Sequence, residues 1–188
     1  MIWDVGHQDE NRPSSILPRS GIRSVEYLFI TNYDEDHVSD MPEFRKEVGI
    51  RAVYRNKSID AAALRALKLK SGPISPAMES TLELISRYNA PLAAPLPEFP
   101  GVTYSVYCNQ FGAEYEDTNN ISLVTFLTIG STKFIIPGDL ERKGWLGVTS
   151  RPISWFSVKE LRMRDIPALQ CLCRGLGVQG LLGQVVVV

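Results

Sequence analysis

Hydrophobic positions run in short blocks along this chain, and the blocks change period. Val25 to Thr31 is a nearly unbroken apolar and aromatic run, the pattern of a strand buried on both faces. Ile121 to Leu127 and Thr132 to Pro137 repeat that pattern around a turn at Gly130, and Val102 to Cys108 alternates as a strand with one face buried. Arg51 to Tyr54 is a shorter strand, and the N-terminus leads straight into another that ends at Asp4. Between them the period lengthens. Helices are predicted over Met41 to Val48, Ala61 to Lys70, Pro76 to about Tyr88 and Ser157 to Arg164. Ser71-Gly72-Pro73 breaks the chain, and four prolines between Pro91 and Pro100 mark an irregular connection. Strands alternating with helices predict an α/β fold.

Two of the buried strands end in acid. The first delivers the chain into Asn32-Tyr33-Asp34-Glu35-Asp36-His37, and the second into Gly138-Asp139-Leu140-Glu141. A rigid strand end followed by a loop suits metal ligands, because the strand fixes the position and the loop lets donor atoms converge. Asp34 and Asp36 project the same way if the extended conformation persists, and His37 adds an imidazole. The other reading is a solvated acidic turn capping the helix that starts near Met41.

In their order along the chain these segments resemble the metallo-β-lactamase superfamily, and more narrowly the hydrolase domain of ComEC-type competence proteins. The resemblance rests on Trp3-Asp4-Val5-Gly6, on Asn32-x-Asp34-x-Asp36-His37, on Asn119 to Val124 and on Gly138-Asp139. It spans roughly residues 1 to 145 and implies an αββα sandwich, with 1–165 as the domain and 166–188 as an atypical apolar tail.

The chain departs from that family at informative places. Asn32 stands where the family usually has its first histidine, and His7 and His37 are the only histidines in the chain. The Ser-His-His-Gly segment expected after the Gly-Asp bridge is missing, so the sandwich reads as incomplete at its C-terminus. The remaining donors are Asp34, Asp36, His37 and Asp139, with Asn32 and Asn120 as weaker amide oxygens. That oxygen-rich set favours a hard or borderline ion. The expected cofactor is one divalent ion, zinc or manganese, on Asp36, His37 and Asp139. The resemblance gives Asp34 the role of ligand or proton acceptor. Asp4 is a supporting residue, and His7 is either a substitute ligand or, as a lone histidine in a polar loop, solvent-facing.

Composition adds bounds rather than chemistry. At 188 residues with 44% hydrophobic and 22% charged residues, the chain is long enough for a real core. Its net charge of −1 gives no general attraction to nucleic acid or membrane, and no apolar run reaches the length of a membrane span. Three cysteines without a framework spacing point to a reduced, cytoplasmic setting, and Cys171-x-Cys173 lacks a second pair to complete a metal site. One local bias stands out. Arg45, Lys46, Arg51, Arg55, Lys57, Arg65, Lys68 and Lys70 are opposed only by Glu47 and Asp60. Such a run either rims a phosphate-binding site or is a solvated helix face.

Residues 166 to 188 carry a single charge, Arg174, and end in four valines. This segment matches no expected element and is read as a replaced or truncated end, sticky because Val185 to Val188 has high β propensity and no gatekeeping charge. The functional expectation is a metal-dependent hydrolase of phosphoesters or phosphodiesters, possible nucleic acid among them. Its rivals are a degenerate, inactive domain with a binding or regulatory role, and a calcium-stabilised structural site at Asp34 to Asp36.

Overall fold

The structure is a computed structural model that describes residues 1–8, 10–89, 98–112 and 114–150, and the backbone of 181–182 and 185–187. It is a mixed α/β protein made of two compact units. The first contains Met1–Ala94 and Gln110–Thr118; the second contains Pro95–Asn109 and Asn119–Val188.

The first unit is built on a three-stranded parallel sheet, β1 (Ile2–Trp3), β2 (Ser24–Ile30) and β3 (Gly49–Arg55), in that spatial order. In this register Trp3 lies beside Phe29 and Phe29 beside Tyr54. The three rings stack across the sheet with centroids 4.9 and 5.1 Å apart, which locks the register of neighbouring strands. Among the described residues, the helices that accompany the sheet are α1 (Pro13–Arg19), α2 (Glu35–Val38), α3 (Met41–Glu47), α4 (Ala61–Leu69) and α5 (Pro76–Arg87). Helix α3 packs on α1 and α5, and α5 also meets α4 and α2. Leu28, Phe29, Ile30, Tyr33, Val38, Met41, Phe44, Ile59, Leu64 and Ile85 are all essentially inaccessible and form the core of this unit. The apolar end of β2 therefore sits at its centre, as the run from Val25 predicts.

The second unit starts as an antiparallel meander of β4 (Val102–Tyr107), β5 (Val124–Ile129) and β6 (Thr132–Ile136). Helix α6 (Arg142–Thr149) follows, and Val124, Phe126, Ile135, Leu140, Trp145 and Val148 make one buried cluster with Tyr107 against it. The sheet continues through β7 (Leu181–Leu182) and β8 (Val185–Val187), in the order β4-β5-β6-β8-β7. The valine-rich end is thus paired on both edges, parallel to β6 and antiparallel to β7.

Three local differences from the sequence expectations have physical causes. Strand β5 begins three residues later than Ile121, because Ser122 N–H turns back to the Asn119 carbonyl. The Asp34-to-His37 stretch does not stay extended. Asp34 is extended (ψ 158°), but Glu35–Val38 is a helical turn, so Asp34 and Asp36 do not occupy alternate strand positions. Helices α1 and α6 were not anticipated. The predicted helix over 157–164, the Cys171-x-Cys173 pair and residues 166–180 of the tail lie outside the described residues. Among the described residues no helix is long and apolar enough to cross a membrane.

Candidate functional site

At the carboxyl end of β1, Asp4 adopts a left-handed backbone conformation (φ 56°) that few side chains other than Asn and Asp tolerate. Its N–H still pairs with the Phe29 carbonyl at 2.8 Å, so the bend begins as the strand ends. The bend brings its carboxylate to the end of β2. Oδ1 accepts from Thr31 N–H at 2.7 Å, and Oδ2 accepts from the Thr31 hydroxyl and lies 2.9 Å from His37 Nδ1. An ionised carboxylate only accepts, so Nδ1 is the donor in this pair, which favours the tautomer with its lone pair on Nε2. Both side chains are largely shielded, Asp4 18% and His37 16% exposed.

The two residues after Asp4 hold the helical turn itself. Val5 N–H donates to the His37 carbonyl at 3.0 Å, and the Val5 carbonyl accepts from Asp40 N–H at 2.9 Å. Gly6 lies against the Asp36–His37 peptide. A Cβ added there would stand 1.7 Å from the Asp36 carbonyl oxygen, so only glycine fits. Asp-Val-Gly and Asp36-His37, some thirty residues apart, thus form one corner.

The other acidic-loop residues are employed differently. Asn32 is fully buried, and its side-chain oxygen accepts from the backbone N–H groups of Tyr33 and, at 3.0 Å, Asp34. This is an Asx turn, with the oxygen directed at the chain's own backbone. Asp34 Oδ1 pairs with the Lys68 ammonium and accepts from the Thr118 hydroxyl at 2.8 Å. Asp36 is exposed. His7 is half-buried rather than solvent-facing: its N–H donates to Ser39 Oγ at 2.9 Å, and its Nδ1 is buried without a hydrogen-bond partner.

In the second unit the other two motifs meet. Gly138 takes a positive φ of 57°, turning the chain out of β6 into Asp139. Asp139 N–H donates to Ser122 Oγ at 3.3 Å. Asn120, nearly buried, accepts from Gly144 N–H at 2.7 Å in the first turn of α6, and Asn119 Nδ2 donates to Glu141 at 3.2 Å. The side chains of Asn119 to Ser122 therefore serve to hold the Gly138-to-Gly144 turn. Asn120 spends its oxygen as a remote helix cap.

The basic run is largely neutralised within the first unit. Arg45 pairs with Glu83, Lys46 with Glu43, Arg51 with Glu26, Arg65 with Glu79 and Lys68 with Asp34. Arg55 is buried and donates to the carbonyls of Asn56 and Ile59. The Arg65 hydrogen bond holds the Glu79 carboxyl below the usual glutamate range, and Glu79 in turn raises Arg65. Both remain over 40% exposed, so the pair adds little to stability.

Sequence reasoning gives no site role to Thr31, Asp40 or Thr118, and places Lys68 only in the basic run. Asp40 is fully buried and does not cap α3; it accepts from Ser14 N–H at 2.7 Å and from Ser14 Oγ at 2.9 Å, capping α1 instead. Thr31 carried a signal, as the polar residue closing an apolar strand, whereas Lys68 and Thr118 reach Asp34 only through tertiary folding. No family model, no curated protein and no solved structure matches this chain.

Proposed function

We propose that this chain is a metal-dependent hydrolase of phosphoesters or phosphodiesters, with one divalent ion, manganese or zinc, on Asp36, His37 and Asp139. The fold that accompanies this reading is the metallo-β-lactamase-like αββα sandwich, and its setting is the cytoplasm. The observation that carries it is the Asp4–His37 hydrogen bond of 2.9 Å. A carboxylate on one ring nitrogen of a histidine is the usual support of a metal-binding imidazole, because it fixes the tautomer and the ring orientation. Here the same segment also presses Gly6 against the Asp36–His37 peptide, so the donors are held on rigid backbone.

The donor chemistry fits. One imidazole and two carboxylates make a mixed N/O set of the kind that borderline divalent ions accept. Such an ion supplies Lewis acidity and makes water a usable nucleophile near neutral pH. The chain's own residues do the positioning: Asp4 orients His37, Val5 and Gly6 fix the turn, and Ser122 supports the backbone of Asp139. Asp34 enters this reading as the partner of Lys68 rather than as a ligand.

Calorimetric titration with manganese and with zinc near neutral pH tests the proposal. One ion per chain is expected, lost in both His37→Ala and Asp139→Ala; binding that survives both substitutions overturns the site. A second reading, a degenerate domain that binds without turnover, is favoured by the diversion of Asn32 and Asp34 to the backbone and to Lys68. Hydrolysis of bis(p-nitrophenyl) phosphate by the loaded protein, absent in His37→Ala, separates the two.

A further inference from the structure

Asp34 is the carboxylate of the acidic loop that already has a cation. Lys68, on the last turn of α4, brings its ammonium onto Asp34 Oδ1, and the Thr118 hydroxyl bridges the two, 2.8 Å from Asp34 Oδ1 and 3.5 Å from Lys68 Nζ. The group is partly sheltered. Lys68 is 19% exposed at its side chain and Asp34 33%, and Thr118 is buried. Lys68 is directed into the acidic loop, whereas Arg45, Lys46, Arg51 and Arg65 meet acids elsewhere. Helix α4 holds it there through an N-cap in which Asp60 accepts from Ala63 N–H at 2.8 Å.

We infer that the Lys68 ammonium is a built-in counter-cation that fills the cation position on Asp34 and limits the loop to a single bound ion. This rests on the reading of the neighbouring Asp36–His37 pair as an ion site. A partly sheltered carboxylate is stabilised by a counter-charge, and removing one partner of the pair leaves the other to solvent alone. The Asp34 and Thr118 oxygens are hard donors, suited to an ion such as manganese once the ammonium is gone. A lysine is also the right device for holding a position against metals, since its charge is fixed to the chain and neither exchanges nor dissociates.

The test counts manganese ions per chain by calorimetry in the full-length protein, its folding followed by circular dichroism. Lys68→Met and Lys68→Gln should each bind one ion more than the parent. Lys68→Arg, which keeps a cation, should bind the parental number, and adding Asp34→Asn to Lys68→Met should remove the extra ion. An unchanged number in both neutral variants overturns the inference, as does their failure to fold in excess manganese, because the ion is then no substitute for the ammonium. The parental number itself reads the Proposed function separately: a parent that binds no ion refutes the Asp36–His37 site, while the difference between parent and variant still judges Lys68.

Discussion

The most demanding residue is the smallest. Gly6 is defined less by its own backbone angles than by what lies opposite, the Asp36 carbonyl, 1.7 Å from where a methyl would be. Backbone cannot step aside as a flexible side chain can, so Gly6→Ala must move either the Asp4–Val5 segment or the helical turn bearing His37. Overpacking of this kind costs about 1–3 kcal/mol. Urea denaturation of Gly6→Ala should show a loss in the upper part of that range, with manganese binding weakened as well. A variant of parental stability would mean the two segments are not held together as described. Asp-Val-Gly was visible in the sequence as a motif at a strand end, but its partners were not. That Asp4 grips Thr31 and His37, and that Asp34 answers to Lys68, depends on contacts between residues 27 to 34 positions apart. No local pattern encodes these.

At the scale of elements, periodicity marked α5, which buries a wide apolar stripe, and missed α1, which does not. Helix α5 buries Ala77, Met78, Thr81, Leu82, Leu84 and Ile85, and the expected span of Pro76 to about Tyr88 ends within a residue of its observed end. Helix α1 buries only Ser14 and contains Pro18; it exists because Pro13 starts it and Asp40 caps it from another segment, neither of which is periodic. The start of α5 allows a sharp test. Ser75 Oγ accepts from Met78 N–H at 3.0 Å and donates to Glu35 in α2, so one hydroxyl caps a helix and tethers the helical turn bearing His37. Ser75→Ala should cost about 1 kcal/mol, the usual value of a lost N-cap, and Ser75→Asn should recover most of it by restoring a capping oxygen. Equal losses in the two variants, measured by thermal or urea unfolding, would show that the tether rather than the cap carries the energy.

For the molecule as a whole, the four sequence motifs sort into pairs, one pair in each unit. Asp-Val-Gly meets the acidic loop in the first, and Asn119 to Ser122 meets the Gly138–Asp139 turn in the second. The alternation of strands and helices made the α/β class legible, because each buried strand carries its own continuous apolar run. The end of the chain was not legible, because four valines say strand but not which neighbour. Val185–Val187 lies parallel to β6, with Lys133, Phe134 and Ile135 as its register partners, and β7 covers its other edge. Ending the chain at Gly180 removes both strands and turns β6 into an open edge of five residues, Thr132–Ile136, of which only Lys133 is charged. An edge with so little charge is a template for pairing with another chain. Sedimentation of the shortened protein should therefore show concentration-dependent self-association beyond that of the full chain, suppressed by Phe134→Lys, which adds charge along that edge. A shortened protein with unchanged sedimentation and an unchanged melting temperature would mean that β6 is protected without the valine strand, and that the stickiness of the tail is not used to complete this sheet.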